Sequence, residues 1–148
     1  MPTYTPPLRD MQFVMHELLH VVDDLKQIPK HAELDADTMN AVLEEGGKFA
    51  SEVLFPLNIS GDSEGCTIDP ATHEVTTPKG FKEAYRQYID GGWAALACDE
   101  QFGGQGLPLV LNQLFYEMLN SANQAWTMYP GLTHGAYAAL SEHGTDAQ

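Results

Sequence analysis

His16-Glu17-Leu18-Leu19-His20 is the most chemistry-dense pattern in this 148-residue chain. On an α-helix His16 and His20 stand one turn apart on one face. There they would bind Zn²⁺, with Glu17 as a general base and Glu44 or Glu45 of the next helix as a further ligand. A structural reading competes with this one. Leu18 falls on the apolar stripe of the helix, whereas His16 and His20 lie with Gln12 and Asp23 on its polar side. The following Val21-Val22-Asp23-Asp24 supplies neither the glycine nor the third histidine of the extended zinc motif. A zinc hydrolase is therefore the lesser alternative.

Gly103-Gly104-Gln105-Gly106 before a helix has the composition of a phosphate cradle. No strand is predicted before it, no lysine follows as in a P-loop, and Asp99-Glu100 beside it would repel a phosphate. The block reads as a tight conformational turn, with Pro108 at the first turn of the next helix. Phe115, Tyr116, Met118, Trp126, Met128, Tyr129 and His134 offer polarizable surface to an apolar ligand. By residue type alone they read equally as core between two helices, and His134 as a hydrogen-bonded structural residue. Spacing pairs no Ser-His-Asp or Cys-His set, and the acidic pair after Cys98 should raise its thiol pKa.

Helical periodicity positions these groups. Met11, Val14, Leu18 and Val21 make one stripe from Arg9 to Pro29, widened by Phe13, Met15, Leu19 and Val22 to two packing sides. Asp35 and Asp37 are N-cap candidates for a second helix, whose stripe is Met39, Val42, Leu43, Gly46, Phe49, Ala50, Val53 and Leu54. Gly46-Gly47 inside it predicts a close helix–helix approach, and Pro56 its end. Residues 58–78 read as a loop, with a short hairpin across Asp69–His73. A third helix spans about Lys79 to Asp90, with Phe81, Ala84, Tyr85, Tyr88 and Ile89 facing in. A fourth starts at Pro108, with Leu111, Leu114, Phe115, Met118 and Leu119 inward. A fifth runs from Pro130 to His143 on Ala136, Ala139 and Leu140. The fold class is all-α: a helical bundle of about five helices with one long loop, preceded by an extended arm over residues 1–8 and forming one helical domain over 9–148.

Composition narrows the function. The net charge of −14, with 7 basic against 21 acidic residues, disfavours nucleic acid and argues that the chain does not hold a polyphosphate cofactor unaided. No apolar run approaches the roughly 18–20 residues of a membrane span. The first residues lack the basic and apolar regions of a signal peptide. Cys66 and Cys98, without a Cys-x-x-Cys pair, read as reduced thiols of a cytoplasmic protein.

Gly92-Trp93, the run Phe102-Gly103-Gly104-Gln105-Gly106-Leu107-Pro108, and Gly144-Thr145 with Gln148 together resemble the N-terminal α-domain of the acyl-CoA dehydrogenases. Leu8-Arg9-Asp10-Met11 with Phe13, Glu17 and Leu18 resembles the long subgroup that includes the 3-methylmercaptopropionyl-CoA dehydrogenases. So do Pro78-Lys79-Gly80-Phe81 and the Tyr85/Tyr88 pair. The resemblance spans about residues 8–148. It implies an FAD enzyme that oxidises the Cα–Cβ bond of an acyl-CoA to a 2-enoyl-CoA and passes electrons to an electron-transfer flavoprotein, commonly as a homo-oligomer. It implies that the flavin-binding β-domain and the C-terminal α-domain, with most FAD contacts and the catalytic glutamate, lie outside this chain. Alone, the chain should be inactive. By the same resemblance Trp126, Met128, Tyr129 and His134 would line the acyl-chain cavity. Glu17, Glu44, Glu45, Glu117 and Glu142 match no catalytic position, so no catalytic residue is assigned. The alternative of another class is a free-standing acidic helical interaction module, with Phe115–Tyr129 as its binding face.

Overall fold

Two π-helical segments divide the first half of the chain into short helices. The computed structural model describes residues 3–148. Helix α1 (Leu8–Gln12) runs into a π segment, Phe13–Leu18, and α2 (Val21–Leu25) follows. His20, at φ 51°, breaks the path between them. The extra residue in a π turn rotates the apolar stripe. Met11 and Met15 stay buried, but Phe13, Val14, Leu18 and Leu19 are exposed. The expectation that Leu18 belongs to the core, and that this helix packs on two sides, is thus corrected. The arm before it is seated: the Tyr4 and Phe55 rings lie 6.0 Å apart.

Helix α3 (Ala36–Lys48) begins at Asp35, whose carboxylate accepts the Thr38 N–H at 2.8 Å. Met39, Leu43, Phe49, Ala50 and Leu54 are buried, following the expected stripe. A Cβ on Gly46 would lie 2.7 Å from Cδ2 of Phe115, so a glycine lets the two helices touch. A second π segment, Phe49–Leu54, leads to α4 (Pro56–Glu64). Pro56 therefore opens a helix instead of ending one, at the position where its missing N–H is not needed. Residues 58–64 are helical, not loop. The hairpin is present as β1 (Thr67–Ile68) antiparallel to β2 (Val75–Thr76), with Thr67 opposite Thr76.

Helix α5 (Phe81–Asp90) buries Phe81, Ala84 and Tyr88, while Tyr85 and Ile89 are exposed, contrary to expectation. Helix α6 (Leu109–His143) supplies both remaining helical bodies. They join at Asn123, which has non-helical backbone (φ −159°, ψ 86°), not ahead of Pro130 as the sequence suggests. Pro130 sits buried inside the second body. The first body buries Leu111, Phe115, Met118 and Leu119 against α3 and the second π segment. Ala136, Ala139 and Leu140, apolar residues of the second, are exposed. At the centre the Tyr88 ring stacks on Phe115 (6.3 Å, 10°) and meets Trp126 edge-on (5.4 Å, 78°). The architecture is the expected all-α bundle with one small hairpin.

Candidate functional site

Asn123 builds the joint from which the second half of α6 departs. Its side-chain oxygen accepts the Trp126 N–H at 3.1 Å, an internal N-cap. Its amide nitrogen donates to the Leu54 carbonyl at 3.3 Å, tying the cap to the second π segment. Thr127 Oγ1 donates to the Asn123 carbonyl at 2.8 Å, so the buried polar atoms of the joint serve one another. Trp126 is fixed next: its indole Nε1–H donates to the Phe81 carbonyl at 3.1 Å. The sequence reading passed over Asn123. A buried-type polar residue between two apolar stripes is the signal it offered.

The four residues expected to line a cavity do not share one space. Trp126 and Tyr129 border an open hollow of about 420 Å³ with Phe81 and Tyr85 of α5, and Thr77, Lys82 and Arg86 complete its lining. His134 borders a smaller hollow of about 190 Å³ with Tyr88, Tyr116, Pro130 and Gly131. Met128 borders neither and is 62% exposed. The His134 ring lies 6.3 Å from that of Tyr137, whose hydroxyl accepts the Asp99 N–H at 2.7 Å and ties the second half of α6 to the Gly-rich turn. Burial pushes the Tyr88 phenol upward, so this hydroxyl stays protonated through the physiological range.

The other patterns resolve on geometry. His16 lies in the π segment and bonds Asn40 Oδ1 through Nε2 at 2.9 Å, while His20 occupies the left-handed break and is exposed. The regular α-helical spacing that a His-Glu-x-x-His site requires is absent. Among the described residues no group of three or more His, Cys, Asp and Glu is arranged to hold a metal ion. In the Gly-rich turn every amide from Gly103 to Leu107 donates inward: to the carbonyls of Glu100, Asp99, Ala95, Cys98 and Leu96 in turn. No amide of the turn is left for a phosphate. Cys98 is buried and its thiol is pushed up by burial, not by Asp99-Glu100; Cys66 is exposed, and both are free.

The acyl-CoA dehydrogenase N-terminal domain family matches residues 66–148, more than half of the chain. The chain belongs to this family. It is 38% identical over 146 residues, 99% of its length, to the 3-methylmercaptopropionyl-CoA dehydrogenase of Ruegeria pomeroyi, of which it covers 24%. It is 30% identical, over an alignment of 149 positions that takes in the whole chain, to the broad-specificity linear acyl-CoA dehydrogenase FadE5 of Mycobacterium tuberculosis, covering 24% of that protein. The butyryl-CoA dehydrogenase of Syntrophomonas wolfei is 28% identical over 144 residues, 97% of this chain and 23% of the relative. The chain thus spans about a quarter of the length of these relatives. As an acyl-CoA dehydrogenase N-terminal domain it is mostly helical, and among the described residues no helix is long and apolar enough to cross a membrane. The inward-bonded Gly-rich turn does not fit the pyrophosphate of FAD. In this domain it is a structural element.

Proposed function

We propose that this chain is the N-terminal helical domain of an FAD-dependent enzyme that oxidises the Cα–Cβ bond of an acyl-CoA thioester to a 2-enoyl-CoA. The observation that carries the reading is the match of 99% of the chain to a curated acyl-CoA dehydrogenase. On this reading the β-domain, the C-terminal α-domain, most FAD contacts and the catalytic base belong to other parts of a longer protein. FAD, when bound, supplies the two-electron acceptor of the reaction. This domain's own contribution is apolar wall and water exclusion. The acyl chain would lie against the second half of α6, with Trp126, Met128, Tyr129 and His134 as lining residues. Exposed Met128, Tyr129 and Leu132 on that half support the assignment, because apolar side chains so placed ordinarily meet a ligand or another domain. Electrons would leave to an electron-transfer flavoprotein, and the enzyme would act in the cytoplasm as a homo-oligomer. By itself the 148-residue chain would be inactive and would self-associate through its open faces.

The test is the intact mass and visible spectrum of the gene product from its native source, followed by acyl-CoA-dependent reduction of an electron acceptor. A longer chain with the two flavin absorption bands and thioester-dependent turnover is expected. A colourless product without turnover overturns the reading. Alanine substitutions at Met128 and at His134 in the active protein should raise KM for acyl-CoA. Unchanged KM in both would remove them from the cavity wall.

A further inference from the structure

The chain carries seven Lys and Arg residues. Arg9, Lys26, Lys30 and Lys48 each stand within 4.0 Å of a carboxylate: Glu17, Asp23, Asp99 and Glu45 respectively. Among the described residues the three cations without such a pair are Lys79, Lys82 and Arg86, all at or within α5. In a chain of net charge −14 with 21 carboxylates, three unpaired cations gathered at one place are a local exception to the field of the molecule. Lys82 and Arg86 are four residues apart, on one face of α5, and both border the hollow floored by Phe81 and Trp126. Lys79 borders the adjoining depression together with Lys82 and Glu83, and its backbone N–H donates to Glu64 at 3.1 Å. Lys82 and Arg86 are therefore the two unpaired cations that line the aromatic hollow itself.

An independent feature belongs to the same lining. Thr77 Oγ1 is buried and has no hydrogen-bond partner, and Thr77 borders the same hollow. A buried hydroxyl left unpaired costs stability unless something supplies an acceptor. The rest of the hollow is aromatic: Phe81, Tyr85, Trp126 and Tyr129. Its volume of about 420 Å³ lies within the range of small-molecule sites.

We propose that this hollow binds an amphiphilic carboxylate: an apolar chain against the aromatic floor and a single anionic head at Lys82, Arg86 and the Thr77 hydroxyl. Arg86 offers paired N–H donors to a carboxylate, Lys82 a point charge, and Thr77 an O–H donor, which matches one carboxylate better than it matches a neutral headgroup. The hollow shares Trp126 and Tyr129 with the acyl-chain wall proposed above, but recognition of a carboxylate by Lys82, Arg86 and Thr77 is a separate claim, which holds whether or not the longer protein oxidises a thioester.

Decanoate and decanol are the probes, titrated into the full-length native gene product and followed by tryptophan fluorescence, since Trp126 forms part of the floor. Decanoate should bind saturably and decanol at least about tenfold more weakly, a difference of about 1.4 kcal/mol. The Lys82→Gln/Arg86→Gln double variant should lose most of the preference for decanoate, and Thr77→Val a smaller part of it. Lys82 and Arg86 are exposed and Thr77→Val keeps the shape of a half-buried side chain, so none of the changes should disturb the core, and an unchanged thermal midpoint verifies that. Equal binding of decanoate and decanol, retention of the preference in the double variant, or no saturable decanoate signal would each overturn the proposal. Thioester turnover is measured separately on the same samples, so loss of the dehydrogenase reading and loss of this one are told apart.

Discussion

The two halves of α6 are the same kind of helix put to opposite uses. Before Asn123, Leu111, Phe115, Met118, Leu119 and Ala122 are all buried, and a glycine at position 46 is kept so that α3 can approach Phe115. After Asn123, only Trp126, Thr127 and Pro130 are buried, while Met128, Tyr129, Leu132 and Leu140 face outward. Both halves are apolar by composition. The difference is which face meets a partner inside the domain, and Asn123 sets that by ending one helix and capping the next. One half folds the domain; the other presents a surface.

Substitutions along the helix test this division. Phe115→Ala removes a ring packed between Gly46, Phe49, Tyr88 and Trp93. It should lower stability by about 3–5 kcal/mol, read from the denaturant midpoint. Asn123→Ala should cost about 1–2 kcal/mol, because the cap is lost and the Leu54 carbonyl is left in the core without its partner. Far-ultraviolet circular dichroism should register frayed helix in that variant. Leu132→Ala, in the half that faces out, should stay within about 0.5 kcal/mol of the parent. A loss as large as that of Phe115→Ala would erase the contrast.

Asp35 caps α3 in solvent, as Asn123 caps its helix in the core. The Thr38 N–H holds the Asp35 carboxyl below the ordinary aspartate range. A depressed folded value means that its stabilisation is present above the unfolded aspartate pKa and is lost as pH falls through the folded value. Asp35→Asn should therefore flatten this part of the acid limb of a stability–pH profile and change little at neutral pH. This is the smallest of the four effects, because the group is exposed to solvent. An unaltered acid limb would show that the cap contributes nothing through its charge.

Several of these features could be read from residue types, and the exceptions have physical causes. The α3 stripe was legible because its period is regular and its glycines fall where a neighbour must come close. The Met11 to Val21 stripe misled, since a π turn shifts the register and sends Leu18 to solvent. Pro56 reads as the end of a helix and Pro130 as the start of one, yet Pro56 opens a helix and Pro130 is buried within one, while the break falls at Asn123. Propensity yields there to side-chain hydrogen bonds that no local pattern announces. The aromatic residues Trp126 and Tyr129 were singled out by type, but their partners on α5 and the unpaired Lys82 and Arg86 come from tertiary placement alone. The separation of His134 from Trp126 into different hollows likewise depends on the angle set at Asn123.

The turn from Gly103 to Leu107 has a consequence for how the domain breathes. Its glycines suggest the most pliable stretch of the chain, yet five consecutive amide protons are committed to carbonyls between Ala95 and Glu100. Those protons should exchange with deuterium on the slow timescale of the helices, and a protease should pass the turn by. Limited digestion should fall first in the exposed hairpin loop around Asp69 to His73, which is held by a two-residue ladder and by hydrogen bonds within the loop itself, with no bond to the helical core. A loop by composition, the Gly-rich turn belongs by its protection to the folded interior.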